Sequence, residues 1–267
     1  MLPDCSKVAA IMREVAEGEL LPRFRRLDPA EVWRKARGSL ATVADVESER
    51  RLVAALTDLL PGSAVLAEED AETNPETFDR LREEAPVWII DPLDGTKNFA
   101  EGKEGFAMIV ALFHRGAARA GWILSPISGE LAMAEEGAGA WIDGRRLRVR
   151  RGGPVARMEG SLGSRLQRNR ELAENFGRVS NLGCCGIEYM ALADGALHFA
   201  HYRRLKPWDH TAGDLIVREA GGHAAGLDSE TPYRPAAPDY NGLLVACDQE
   251  SWSEVAALLR PAVAALG

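Results

Sequence analysis

Apolar side chains recur at a helical period at the start of the chain, where Val8, Ile11, Met12, Val15 and Leu20 are set among charges over residues 4–21. A second run covers residues 43–60: Val46, Val53, Leu56 and Leu60 share a face, and Pro61-Gly62 stops it. Ala64-Val-Leu-Ala67 predicts a short strand that ends at the acidic run Glu68-Glu69-Asp70. Residues 71–86 are polar and aperiodic, which predicts an irregular surface excursion. The pattern then becomes one of strands, at 87–90, 106–113, 117–125, 130–135, 139–142 and 147–149, with breaks mostly at Gly or Pro as in an antiparallel meander. Beyond Gly152-Gly153-Pro154 helices and strands alternate. Strand pieces at 159–162 and within 175–182 flank a polar helix at 164–174, and a helix from Ile187 to Leu192 is closed by Asp194-Gly195. A strand at 196–202, a helix over 210–220, a strand at 243–246 and a helix over 249–266 complete the chain. The expected fold class is therefore α/β (α+β), with an antiparallel N-terminal half in residues 1–152 and a mixed α/β half in residues 153–267.

Composition changes this picture little. The 267 residues can bury a large core, and 46% apolar with 27% charged residues is ordinary for a globular chain. A formal charge of -8 gives no general attraction to nucleic acid or acidic lipid, although bound cations can reverse the field locally. Cys5, Cys184, Cys185 and Cys247 form neither a CxxC pair nor a disulfide framework. With no signal-peptide pattern, and with Phe106–Phe113 the longest apolar run, a cytoplasmic location away from membranes is the default expectation. The basic run Arg145–Arg151 reads as a solvated edge strand guarded against pairing.

The chemistry concentrates in Trp88-Ile-Ile-Asp-Pro-Leu-Asp-Gly-Thr-Lys-Asn-Phe99, an apolar strand that delivers two carboxylates, Asp91 and Asp94, to its end. Buried carboxylates are costly unless a cation or donor meets them. Pro92 restricts Asp91 to extended geometry, and the Asp94-Gly95 turn predicts a bend after the strand that lets the two acids converge. Such oxygen-rich clusters suit Mg²⁺, and Gly95-Thr96-Lys97-Asn98 can offer N–H groups to a phosphate. Glu68-Glu69 and Trp208-Asp209 can complete the cage, with Asp209 doubling as N-cap of a helix over 211–220. The two-residue gap between the aspartates separates this run from the Asp-x-Asp signature of haloacid-dehalogenase phosphatases, in which the first Asp is a nucleophile. His198, His201 and His210 do not read as a zinc set, because the three-residue strand spacing of the first two sends them to opposite faces.

Thr42-Val-Ala-Asp45, Ala67-Glu-Glu69, the run Trp88–Phe99, Trp208-Asp-x-x-Ala-Gly213 and Glu219-Ala-Gly-Gly222 occur in order over most of the chain. In these motifs the chain resembles the inositol monophosphatase family of Mg²⁺-dependent, lithium-sensitive phosphomonoesterases. The resemblance implies a layered α/β/α/β/α sandwich, commonly a homodimer, with two to three Mg²⁺ per site. It implies that Glu68, Asp91 and the carbonyl of Leu93 hold one Mg²⁺, and Asp91, Asp94 and Asp209 another. Glu68 and Thr96 would position the attacking water, and Asp45 would orient Thr96. Asp94, Gly95, Thr96, Gly183, Cys184, Tyr202, Arg203 and Asp209 would meet a small phosphorylated metabolite. Lys35 or Arg37 would supply a family lysine near the metals.

Two departures bear on the substrate. Tyr202 stands where inositol-specific members carry Glu, and Gly183-Cys184-Cys185 keeps only the Gly of the family's Gly-Thr-Ala. Inositol 1-phosphate is the default substrate, with histidinol phosphate, a sugar bisphosphate or a 3′-phosphonucleotide as alternatives. A non-catalytic, partner-binding regulator is the alternative of another class.

Overall fold

The computed structural model describes residues 3–36, 38–236 and 242–266. Helix α1 (Cys5–Val15) passes through a π-helical turn (Ala16–Leu20) and a hairpin, β1 (Val32–Arg34) and β2 (Leu40–Thr42), into α2 (Val43–Leu59). Next come β3 (Ala64–Ala67), α3 (Glu68–Thr73), a 3-10 segment (Pro75–Arg82), β4 (Val87–Asp94) and α4 (Thr96–Ala100). The meander follows as β5 (Ala107–His114), β6 (Ala117–Leu124), β7 (Leu131–Glu135), β8 (Gly139–Ile142) and β9 (Arg145–Arg146). The C-terminal half runs β10 (Glu159–Leu162), α5 (Ser164–Gln167), α6 (Arg170–Ala173), β11 (Arg178–Ser180), α7 (Cys185–Ala193) and β12 (Phe199–Tyr202). It ends with α8 (Pro207–Glu219), β13 (His223–Gly226), β14 (Leu243–Ala246) and α9 (Gln249–Ala264).

Strand order β3-β4-β5-β6-β7-β8-β9 makes one sheet, antiparallel except for the β3–β4 pair, and β11-β10-β12-β14-β13 makes a second, mixed one. Alternation along the strands assigns the layers. On β4, Trp88 and Ile90 join Met12, Leu52 and Leu56 of α1 and α2, whereas Val87 and Ile89 face the opposite way with Tyr189, Leu192, Leu215 and Ile216 of α7 and α8. The central cluster continues to one face of the second sheet through Ala200, Tyr202 and Val245, and the other face, with Phe199, Leu244 and Ala246, packs on Leu166, Leu172, Trp252 and Leu259. The result is the expected α/β/α/β/α stack. Its central strands are buried on both faces, which explains why β5 reads as one apolar run.

The central helix layer sits close to the sheets because small residues let it. A β-carbon added at Gly121 of β6 would lie 2.9 Å from the Ala212 α-carbon on α8, and one at Gly213 would meet the Tyr189 ring at 2.2 Å. The Gly121→Ala variant must push backbone against backbone, so it should lose about 1–3 kcal/mol of stability in urea denaturation. An unchanged midpoint would show that α8 has room to move.

Several local expectations are corrected. Residues 71–86 are not irregular: α3 and the 3-10 segment cover most of them, with Thr77 and Leu81 buried as anchors. The strand expected at 147–149 is instead the two-residue β9 just before it, and buried Leu147 plugs the core. Within that basic run Arg146 lies over the Trp141 ring and Arg145 pairs with Asp194 at 2.6 Å, as suits a sheet edge. The hairpin β1–β2 and strand β13 are additions that the sequence pattern did not suggest. No helix among the described residues is long and apolar enough to cross a membrane.

Candidate active site

Strand β4 does not stop at Ile90 but continues to Asp94, and the two aspartates converge within it. Asp91 pairs with Ile109 and Asp94 with Ala107, so Pro92 and Leu93 face a single residue across the ladder. This is a β-bulge, a place that tolerates a proline without an N–H. In a regular strand residues three apart point to opposite faces; the extra residue returns Asp94 to the side of Asp91. The Leu93 N–H donates to Asp91 Oδ1 at 3.0 Å, and the Leu93 carbonyl accepts the Thr96 hydroxyl at 3.0 Å, so this carbonyl also turns to the site. Gly95 follows at φ +85°, with Gly105 O 3.0 Å from where a β-carbon would sit. Only glycine fits there.

Asp45 belongs to the first turn of α2. Its Oδ2 accepts the N–H and the hydroxyl of Thr42 at 2.7 and 2.6 Å, closing a capping box. Its Oδ1 accepts the Thr96 hydroxyl at 3.0 Å. Glu68 opens α3, and a residue that sequence reasoning missed holds it there: Glu49 accepts the N–H groups of Glu69 and Asp70 at 2.7 and 2.8 Å. The missed signal was helical spacing, since Glu49 lies four residues after Asp45 on the same buried face. Lys35 from the β1–β2 turn bonds Glu68 and Glu69 at 2.7 and 2.6 Å; Arg37 lies outside the described residues.

Asp209 is not the N-cap of its helix. Pro207 begins α8, Lys206 is the N-cap, and Asp209 sits in the first turn with its carboxyl within hydrogen-bonding reach of Asp91. Burial drives the Asp91 carboxyl well above its ordinary range, and the charges of Glu68, Asp94, Asp209 and Asp45 push it further. Burial, then Asp94 and Glu68, does the same to Asp209. Burial raises Asp94 to about 6 against two hydrogen bonds that ionised oxygen would accept, and raises Asp45 to about 6 and Glu69 to about 8. Lys35 and Lys206 do not offset this crowding. Four carboxylates and a backbone carbonyl, all hard oxygen donors gathered from β4, α3 and α8, fit a cluster of divalent cations, which would relieve the repulsion that protons otherwise absorb.

The residues assigned to substrate divide into two groups. Cys184 donates its thiol to Asp94 Oδ2 at 3.0 Å beside the Gly186 N–H at 2.6 Å, which ties α7 to the cage. Gly183, at φ +70°, packs on Asn98, whose amide bonds Gly105 O and Leu182 O at 2.6 and 2.8 Å and joins α4 to this loop. Tyr202 is buried, stacked on Tyr189 at 5.3 Å and packed on His210 at 4.8 Å, with its phenol toward Glu188. Glu188, a second missed acid, accepts the Ser161 hydroxyl and the Leu182 N–H. Arg203 is exposed and lines a cavity of about 160 Å³ with Ser164, Arg165 and His201, where its charge bears on His201. The three histidines belong to separate networks: His198 accepts the Glu159 N–H, His201 is buried on β12, and His210 bonds Tyr189 and the Arg204 carbonyl.

The family described as "Inositol monophosphatase family" matches residues 6–264. A Thermotoga maritima protein named "Fructose-1,6-bisphosphatase/inositol-1-monophosphatase" is 33% identical over 187 residues, covering 68% of this chain and 70% of its own length. The "Nus factor SuhB" of Pseudomonas aeruginosa is 33% identical over 223 residues, covering 77% of this chain and 79% of its own. Among solved structures, a Thermotoga maritima IMPase superposes with a TM-score of 0.82 at 26% identity, over 97% of each chain.

Proposed function

The chain belongs to the inositol monophosphatase family, and from that premise we propose that it hydrolyses a small phosphate monoester with Mg²⁺ held by Glu68, Asp91, Asp94, Asp209 and the Leu93 carbonyl. The observation that carries this reading is geometric: the β4 bulge brings Asp91, Asp94 and the Leu93 carbonyl to one side, where Glu68 of α3 and Asp209 of α8 meet them. A binding module has no use for so costly a cluster. When bound, the cations supply charge that offsets the phosphate and the leaving oxygen, and they make a water acidic enough to attack.

The chain's own groups do the positioning. The Thr96 hydroxyl hydrogen is committed to Asp45 Oδ1 or the Leu93 carbonyl, each at 3.0 Å. Its lone pairs are thereby left to accept a hydrogen from the attacking water and aim it. Asp45 can do this reliably because its other oxygen is pinned by Thr42. The left-handed turn at Gly95, open only to glycine, sets the chain so that backbone N–H groups at the start of α4 can meet the phosphate. Glu68, which Lys35 contacts and whose α3 backbone Glu49 braces, would accept the water's proton.

Inositol 1-phosphate is the default substrate of this proposal. A sugar bisphosphate is the second reading, favoured by Tyr202 in place of a hydroxyl-binding Glu and by the name of the Thermotoga maritima relative. A phosphate-release screen over inositol, sugar, histidinol and nucleotide phosphates, with and without chelator, tests both. The expected result is chelator-sensitive release from at least one ester. No release from any of them would move the chain to the regulatory alternative, a role the name of the SuhB relative suggests for that protein.

A further inference from the structure

We propose that the chain carries a second, sulfur-containing site for thiophilic divalent cations such as Zn²⁺, formed by Cys185, Asp209 and His210 where the N-terminal ends of α7 and α8 meet. One ligand atom from each residue lies within 4.8 Å of the other two. In a tetrahedral zinc site with bonds of 2.0–2.3 Å the ligands stand about 3.5 Å apart, so side-chain rotation closes the gap. The tautomer of His210 suits a ligand, and an ion at Nδ1 would displace the Tyr189 hydroxyl from it. Its Nε2 lies 2.8 Å from the Arg204 carbonyl and so carries the proton, which leaves Nδ1 as the acceptor, facing the Tyr189 hydroxyl at 3.1 Å. An imidazole whose second N–H is fixed by a backbone carbonyl is the usual outer-shell arrangement of metal-binding histidines.

Cys185 is what makes the site particular to this chain, since it stands in the family's Gly-Thr-Ala run where no sulfur is expected. The thiol is free of any disulfide. Coordination would replace its proton, which passes to solvent as the metal–sulfur bond forms. Zn²⁺, Cd²⁺ and Co²⁺ accept a Cys-His-carboxylate set, whereas Mg²⁺ prefers oxygen alone. The two sites share Asp209. A thiophilic ion bound by Cys185 therefore takes one carboxylate from the oxygen cage, and the two kinds of cation antagonise each other.

The test uses the full chain, stripped with chelator and then supplied with excess Mg²⁺ before Co²⁺ is titrated in. A thiolate-to-cobalt charge-transfer band should grow to one ion per chain, be displaced by Zn²⁺, vanish in Cys185→Ser and persist in Cys184→Ser. Absence of the band, or its survival in Cys185→Ser, overturns the site. A second arm rests on the phosphatase reading: Zn²⁺ should inhibit phosphate release at saturating Mg²⁺, and Cys185→Ser should need at least about tenfold more Zn²⁺ for the same inhibition. Equal inhibition of both proteins overturns the antagonism. The absorption arm requires no turnover, so it decides the site even if the chain hydrolyses nothing.

Discussion

Asp91→Asn should cost at least about 10³-fold in metal-dependent phosphate release, equivalent to about 4 kcal/mol of transition-state stabilisation, while the metal-free protein becomes more stable. The two effects have one cause. Asp91 is the carboxylate on which Glu68, Asp94, Asp209 and Asp45 all bear, so removing its charge removes both the centre of the cation site and the centre of the repulsion. Asparagine has nearly the same volume, and its carbonyl can still accept the Leu93 N–H that Asp91 Oδ1 accepts at 3.0 Å, so the bulge survives. Steady-state assays with Mg²⁺, together with thermal unfolding in chelator, measure both. Retained turnover sinks the metal assignment, and a lower apo melting temperature sinks the electrostatic account. The variant thus trades function for stability, as at other strained sites.

The second large effect is a dependence of stability on pH that Mg²⁺ should cancel. Glu69 at about 8, Glu49 at about 7 and Asp45 and Asp94 at about 6, all raised chiefly by burial, bind protons in the folded chain that the unfolded chain has already lost. For such groups stability is fully present below the unfolded values near 4 and is lost as pH rises through the folded ones. His201 and His210 act in the opposite sense: burial lowers both to about 4, so they cost stability as pH falls below their unfolded value of about 6.5. Between pH 8 and 6.5 the acids dominate, the two histidines offsetting them by only about 0.4 kcal/mol each at the lower end. Lowering pH across that window in chelator should raise stability by about 2–4 kcal/mol, a gain of several degrees in melting temperature. Excess Mg²⁺ at pH 8 should restore the loss, because the cations take the place of the protons. Scanning calorimetry at the two pH values, with and without Mg²⁺, reads this directly; apo stability that falls on acidification across the window would rule it out.

Much of this was legible in the sequence where one residue type carried one message. The apolar period of α1 and α2 and the Gly- and Pro-bounded strands of the meander located most elements. Spacing reasoning failed where two signals overlapped. Asp209 precedes an apolar run and looks like an N-cap, yet Pro207 two residues earlier is a favoured helix start and wins. Residues 71–86 lack a period because a six-residue helix and a 3-10 turn are too short to show one, and their order comes from Thr77 and Leu81 anchored in the interior. Glu49 and Glu188 were missed for another reason: an acid that braces backbone N–H groups looks in sequence much like an acid on the surface, and only the helical spacing of Glu49 from Asp45 hinted otherwise.

The bulge in β4 also determines what kinds of change the site can absorb over time. An Asp-x-Asp run places its acids on one face of an ordinary pleat, whereas here the same alignment is reached with one more residue looped out. The number of residues between the two acids then matters beside their identity, Leu93 being buried in the core. A point replacement that keeps the bulge leaves both carboxylates on one side, one added residue turns one of them away, and one residue fewer keeps them aligned only if the bulge is lost with it.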